Sequence, residues 1–173
     1  LFETYDLSDA TMPLDELRGP FVPKDGIPAL TDPERTAAAK ATFLDASARV
    51  VEVAIGDEAV AYPLAILNFH EIANDVVGGV PVAVTFCPLC DSVSVFDRRL
   101  GDRTLEFGVS GFLHNSNVVM YERGNMGLWS QVAMRALTGP DTGARLEHLP
   151  VRVVSFERFR ETHPGGEVLT TET

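Results

Sequence analysis

Residues 81–97 read PVAVTFCPLCDSVSVFD, two runs rich in β-branched and aromatic residues on either side of Cys87-Pro88-Leu89-Cys90. Such runs are typical of strands, and a short connection containing turn-forming residues is typical of a hairpin. The stretch therefore predicts strands at Pro81–Phe86 and Ser92–Phe96 joined by a turn. Two thiols separated by two residues point to one spot at that turn, where a metal ion or a disulfide can join them.

Short strands continue on both sides of this unit. A hairpin with a tight turn at Gly56-Asp57 is predicted over residues 50–62. Further strands are predicted at Thr104–Val109, Asn117–Tyr121 and Val151–Val154.

Four short helices are predicted between or beside these strands. Pro33 suits the first turn of a helix, and apolar residues recur at 3.6-residue spacing after Pro63. The predicted helices are Glu34–Lys40, Leu64–Asn74, Leu128–Leu137 and Phe156–Glu161. The sequence therefore predicts an α+β fold, a single domain with a mainly antiparallel curled sheet or small barrel and peripheral helices.

The first thirty residues differ in composition from the rest of the chain. Four prolines occur there, at positions 13, 20, 23 and 28. Because each proline lacks a donor N–H and restricts the residue before it, a long helix is excluded. We expect residues 1–30 to form an extended strap on a single α+β domain that spans residues 31–173.

Composition excludes several classes of function. The chain of 173 residues carries a net charge of -11, so binding to a nucleic-acid backbone is not expected. The sequence contains no G-x-G-x-x-G motif and no P-loop, so no nucleotide or dinucleotide cofactor is expected. No apolar run approaches the ~18 residues of a membrane span. The chain begins with Leu1 rather than Met, and we expect it to be a processed product.

A metal site is the leading hypothesis for the two cysteines. The strand–turn–strand setting of Cys87 and Cys90 is typical of one knuckle of a zinc ribbon, but there is no second C-x-x-C to complete four ligands. Histidines are therefore candidates for the missing ligands, first His70 and then His114. Such a set suits a zinc or copper ion. The residues expected to orient the ligands are Glu71, Asp75 and Asp91.

Two other hypotheses use the same residues differently. The cysteine pair without metal predicts a thiol–disulfide oxidoreductase. Alternatively the protein is a non-enzymatic module that binds an unknown small molecule or partner. The predicted pocket of that module is formed by Asn115, Asn117, Trp129 and Gln131.

The ordered motifs together resemble the bacterial and archaeal domain-of-unknown-function family three-one-seven-nine. The resemblance covers residues 24–164 and rests on residues 25–30, 61–64, 67–72, 78–82, 86–90, 96–98, 107–111, 115–117, 119–121, 128–131 and 139–140. It implies a single domain, often made with an export signal or lipid anchor, and so favours an extracytoplasmic location. It also implies functional roles for His70, Cys87 and Cys90, but no established activity. The family usually has Gly where this chain has Asp91, and Trp where it has Phe69.

Overall fold

The computed structural model describes residues 4–172, and in this range the chain is predominantly β-strand with two short α-helices. The strands, in chain order, are β1 (Leu30–Thr31), β2 (Arg35–Ala37), β3 (Arg49–Ile55), β4 (Glu58–Pro63), β5 (Ile72–Val77), β6 (Val80–Cys87), β7 (Ser92–Asp97), β8 (Arg99–Leu100), β9 (Arg103–Thr104), β10 (Phe107–His114), β11 (Asn117–Glu122), β12 (Leu128–Ser130), β13 (Arg135–Ala136), β14 (Arg152–Ser155) and β15 (Glu167–Leu169). The helices are α1 (Leu64–His70) and α2 (Phe156–Thr162). Single 3₁₀ turns occur at Leu14–Glu16 and Ala38–Lys40.

The strands form three main sheets, none of which closes on itself within residues 4–172. A central sheet has the order β1-β5-β6-β7, a second has β10-β11-β12-β13, and a third has β14-β3-β4-β15-β2. Pairing is antiparallel except between β1 and β5 and between β15 and β4. The expected antiparallel pairing is therefore confirmed, but the expected single curled sheet or barrel is replaced by several open sheets.

The central sheet is covered on both faces because apolar residues occupy both sides of β6. Val82 and Val84 belong to the core shared with β3 and β4. Ala83, between them, belongs to the core shared with β10, β11 and β12, which also contains Trp129. Since side chains alternate along a strand, Thr85 and Cys87 lie on the same face as Ala83. The cysteine turn therefore lies at the junction of the central and second sheets.

Helix α1 ends earlier than the sequence pattern indicates. The predicted helix Leu64–Asn74 stops at His70, because Glu71 adopts a left-handed conformation with φ +58°. From Ile72 the chain becomes β5, which pairs with β6 over its whole length. Apolar spacing does not distinguish the end of the helix from the start of the strand here, because β5 is a central strand with buried side chains on both faces.

Two further predicted helices are wrong. Glu34–Lys40 contains strand β2, which pairs with β15, and then a 3₁₀ turn. Leu128–Leu137 contains β12 and β13, which extend the second sheet beside β11. In both cases pairing with another strand prevails over local helix propensity. The β3–β4 hairpin, β6, β7 and helix α2 are confirmed.

The N-terminal segment runs beside β10 and is bonded to it through the backbone. The N–H groups of Arg18, Phe21 and Asp25 donate to the carbonyls of residues 113, 111 and 109, at 2.8, 2.8 and 3.0 Å. Residues 1–3 of the predicted strap, and residue 173 of the predicted domain, lie outside the described residues.

No helix within residues 4–172 has both the length and the apolar character needed to cross a membrane.

Candidate functional site

The two cysteines lie at the two ends of the β6–β7 turn and differ sharply in exposure. Cys87 pairs with Ser92 in the ladder and is 1 % exposed, whereas Cys90 is exposed. The Cys90 N–H donates to the Cys87 carbonyl at 3.3 Å. Asp91 follows with φ +49°, a conformation that glycine adopts most readily. Both thiols are free, so the turn presents one buried and one accessible sulfur.

Hydrogen-bonding side chains surround the Cys90 sulfur. Asn117 Nδ2 donates to Cys90 Sγ at 3.2 Å, and Ser92 Oγ lies 3.1 Å from the same sulfur. Asn117 comes from β11, whereas Ser92 begins β7. The junction of the two sheets therefore brings two polar groups to one thiol.

A buried glutamine fixes the orientation of these two groups. Gln131 Oε1 accepts from Asn117 Nδ2 at 2.8 Å and from Ser92 Oγ at 3.1 Å. Gln131 Nε2 in turn donates to Thr85 Oγ1 at 3.2 Å. The Val132 N–H donates to Asn117 Oδ1 at 3.3 Å, so Nδ2 is the end of the amide that points to the sulfur.

The surroundings shift the pKa values of the two thiols in opposite directions. Burial is the main cause that raises the pKa of Cys87 above its usual value. Partial burial also acts to raise the pKa of Cys90, but hydrogen bonds from Ser92, Cys87 and Asn117 outweigh it, so the pKa of Cys90 is lowered. Since the thiolate is the nucleophilic form, Cys90 is the more reactive of the two.

An apolar pocket of about 390 Å³ lies against the inner side of the turn. It contacts the N-terminal segment, the cysteine turn and strands β10 and β11. The residues that line it are Phe21, Val22, Ile27, Glu71, Cys87, Pro88, Leu89, Val109, Gly111, Phe112, Leu113 and Val118.

Glu71 supplies the only carboxylate among those lining residues. Its left-handed backbone is held by two hydrogen bonds, from its own N–H to Leu67 O at 2.7 Å and from the Phe86 N–H to its carbonyl at 2.8 Å. The Glu71 side chain makes no hydrogen bond or ion pair with any other described residue. Burial without a partner raises the pKa of Glu71 to about 6.

The predicted histidine ligands have other partners. His70 Nδ1 lies 2.8 Å from the Pro28 carbonyl. His114 Nε2 lies 3.1 Å from Glu16 Oε2. Within residues 4–172 no three His, Cys, Asp or Glu side chains lie close enough together to hold a metal ion, and Cys87, Cys90 and His70 form no such group. The zinc or copper site stays a prediction.

The predicted orienting carboxylates lie apart from one another. Asp75 is buried and accepts hydrogen bonds from Tyr62 at 2.8 Å and from Arg35 at 3.1 Å. Asp91 forms an exposed, two-pronged ion pair with Arg49. Glu71 is the one of the three that lines the pocket next to Cys87.

The four residues of the predicted pocket separate into different surroundings. Asn117 contacts the Cys90 sulfur, and Gln131 contacts Asn117. Trp129 is fully buried and packs edge to face against Phe107 at 5.5 Å between ring centroids. Asn115 is exposed at the β10–β11 turn beside His114.

Sequence reasoning missed Ser92 and Thr85 as parts of the site. A signal for Ser92 was present, because a hairpin that turns at residues 88–91 must pair Cys87 with Ser92. The position of Thr85 was also predictable, because Thr85 lies two residues before Cys87 and therefore on the same face of β6.

These features define a β-rich domain in which a C-x-x-C turn, with hydrogen-bonding side chains around Cys90, lies beside an apolar pocket. A family model described as a protein of unknown function, DUF3179, matches residues 24–173, and the chain belongs to this family. Searches of curated proteins and of solved structures find no match.

Proposed function

We propose that the protein exchanges thiols and disulfides through Cys90 and Cys87, with Cys90 as the attacking sulfur. The observation that carries the proposal is the pair of polar contacts at Cys90 Sγ: the Asn117 amide donates to it at 3.2 Å, and the Ser92 hydroxyl lies 3.1 Å from it. Donors at a sulfur stabilise its thiolate, and a thiolate is required for exchange. An exposed attacking thiol beside a buried second thiol is the arrangement that a two-step exchange needs.

The first step is attack of the Cys90 thiolate on one sulfur of a substrate disulfide. A bond forms between Cys90 and that sulfur, the substrate S–S bond breaks, and the other substrate sulfur leaves as a thiolate that takes a proton. In the second step Cys87 gives up its proton and attacks the Cys90 sulfur. The first substrate sulfur then leaves and takes a proton. The protein dithiol is thereby oxidised by two electrons, and the substrate disulfide is reduced to two thiols.

Ser92 and Asn117 stabilise charge during both steps. Asn117 has two N–H groups and three neighbouring acceptors, Cys90, Ser92 and Gln131. The Ser92 hydroxyl has a single proton, directed either to Gln131 or to Cys90. As negative charge develops on Cys90 the hydroxyl rotates toward the sulfur, while Asn117 continues to donate to Gln131.

The test is reaction of the reduced protein with 2,2′-dithiodipyridine, a small neutral disulfide. The proposal expects two equivalents of pyridine-2-thione per chain, no remaining free thiol, and a Cys87–Cys90 disulfide in the mass spectrum. Cys87→Ser is expected to release one equivalent and retain a mixed disulfide on Cys90. Cys90→Ser is expected to react much more slowly, because Cys87 is buried. Two thiols that react independently, without forming a shared disulfide, would contradict the proposal.

A further inference from the structure

The apolar pocket adjoins the turn that carries the attacking sulfur. Its wall includes Cys87, Pro88 and Leu89, three of the four residues of the turn. The Cys87 thiol also interacts with the Cys90 thiol, as the effect of each on the other's pKa indicates. A group seated in the pocket therefore contacts the immediate neighbour of the attacking sulfur.

The mouth of the pocket is apolar as well as its interior. Phe21 and Leu89 both line the pocket, yet their exposed fractions are 69 % and 71 %. Large apolar side chains exposed together mark a surface that binds a partner. A small ligand inside the pocket would leave both side chains in water, whereas a polypeptide that crosses the mouth covers them.

Charge at the pocket disfavours one class of occupant. Glu71 and Cys87 are the only titratable side chains among the lining residues. Two charged residues of the nearby N-terminal segment are already engaged: Asp25 is bound by Tyr121 and Arg123, and Lys24 lies over the Tyr121 ring. None of the residues that line the pocket is a cation that would offset the Glu71 carboxylate, so an acidic side chain would be repelled.

We propose that this pocket binds the side chain next to the reacting cysteine in a polypeptide disulfide, and that it selects apolar side chains over acidic ones. This inference rests on the exchange chemistry proposed above and names its substrate class. The reaction is unchanged: the peptide sulfur is transferred to Cys90 and then released as a thiol when Cys87 attacks.

The experiment uses three peptides that differ only in the residue before a single cysteine, which is Leu, Ala or Glu. Each cysteine carries a 2-thiopyridyl group, so release of pyridine-2-thione reports the attack by Cys90. At pH 8 the Leu peptide is expected to react at least about tenfold faster than the Ala peptide, since even one methylene in an apolar pocket discriminates about tenfold and Leu has three more carbons than Ala. The Glu peptide is expected to be the slowest.

Variants assign this selectivity to the pocket. Phe21→Ser and Leu89→Ser are expected to reduce the preference for Leu over Ala. Phe43→Ser is the matched control, because Phe43 is also exposed but does not line the pocket, and it is expected to keep the full preference. Glu71→Gln is expected to raise the rate of the Glu peptide toward that of the Ala peptide.

The outcomes separate this inference from the proposed function. Equal rates for the three peptides, with rapid reaction of 2,2′-dithiodipyridine, would overturn the inference and leave the exchange chemistry standing. Loss of the Leu preference in Phe43→Ser as well would also overturn it, as would a small apolar disulfide that reacts faster than the Leu peptide. No reaction with any disulfide would overturn both proposals.

Discussion

Replacing Ser92 by Ala removes one hydroxyl from the thiol site and leaves the backbone of β7 intact. That hydroxyl lies 3.1 Å from Cys90 Sγ and 3.1 Å from Gln131 Oε1. Gln131 Oε1 keeps a donor, because Asn117 Nδ2 is 2.8 Å away. The substitution therefore withdraws a donor from the thiolate without leaving a buried acceptor unpaired.

The magnitude follows from the value of one such hydrogen bond. A bond to a charged group contributes about 1.5–3 kcal/mol when buried, but Cys90 is exposed and retains Asn117, so about 1 kcal/mol is expected here. At any pH well below the Cys90 pKa, this lowers the thiolate population about fivefold. The Cys90 thiolate of the variant is more basic and therefore a better nucleophile, which raises the rate constant of the thiolate itself about twofold. On the acidic limb of the pH profile, the alkylation rate is therefore expected to fall about 2.5-fold.

The assay is the rate of alkylation by iodoacetamide as a function of pH, with the labelled cysteine identified by mass spectrometry. Ser92→Ala is expected to move the midpoint of the Cys90 profile to higher pH. Ser94→Ala is the matched control, since Ser94 lies on the same strand and its hydroxyl makes no hydrogen bond to any described residue. An unchanged midpoint in Ser92→Ala, or an equal shift in Ser94→Ala, would refute the reasoning.

Three further predictions concern stability, each measured as the free energy of unfolding in urea. Asp91→Gly is expected to stabilise the fold by about 0.5 kcal/mol, because relief of the left-handed strain outweighs the loss of an exposed ion pair with Arg49; a net loss would show that the pair matters more. Glu71→Gln is expected to stabilise by about 1 kcal/mol at pH 7.5 but little at pH 4. The pKa of Glu71 rises on folding from 4.5 to about 6, so the folded state binds this proton more tightly, and its stability falls as pH rises between these values. A pKa difference of this size corresponds to about 2 kcal/mol of stability, and this figure is halved because solvent screens the partly exposed carboxylate. An equal increase in the free energy of unfolding at both pH values would contradict this prediction. Tyr62→Phe is expected to cost about 1.5 kcal/mol, since the buried hydroxyl donates to Asp75; no loss would mean that Arg35 and the Val76 N–H suffice to satisfy that carboxylate.

The hairpin that carries the cysteines was predictable because its determinants are local. Alternating apolar residues on both sides of a turn containing Pro88 and Asp91 are sufficient to place β6 and β7. The pairing of Cys87 with Ser92 follows from the same register.

The end of α1 was not predictable from apolar spacing. Ile72 and Ala73 continue the helical pattern, yet both lie in β5 and pack on opposite faces of the central sheet. The change of direction depends on Glu71, whose left-handed backbone is held by the Phe86 N–H from a strand that comes later in the chain. A contact of that kind has no signature in the local sequence.

The polar surroundings of Cys90 were only partly predictable for the same reason. Asn117 is 27 residues from Cys90, and Gln131 is 39 residues from Ser92. The sequence singled out both amides as pocket residues, but it placed them with Trp129, which is fully buried in the core. Only the pairing of β11 with β12 and the packing of that sheet on β6 bring the amides to the thiol.

Equilibration of the protein in glutathione buffers of graded potential tests most directly whether Cys87 and Cys90 form a reversible redox pair. A two-electron transition is expected above about −300 mV, with the disulfide formed and reduced reversibly in both directions. Structural disulfides lie below that potential and resist the glutathione pool. A transition below about −300 mV, or two cysteines that remain separate thiols in the most oxidising buffer, would contradict the account.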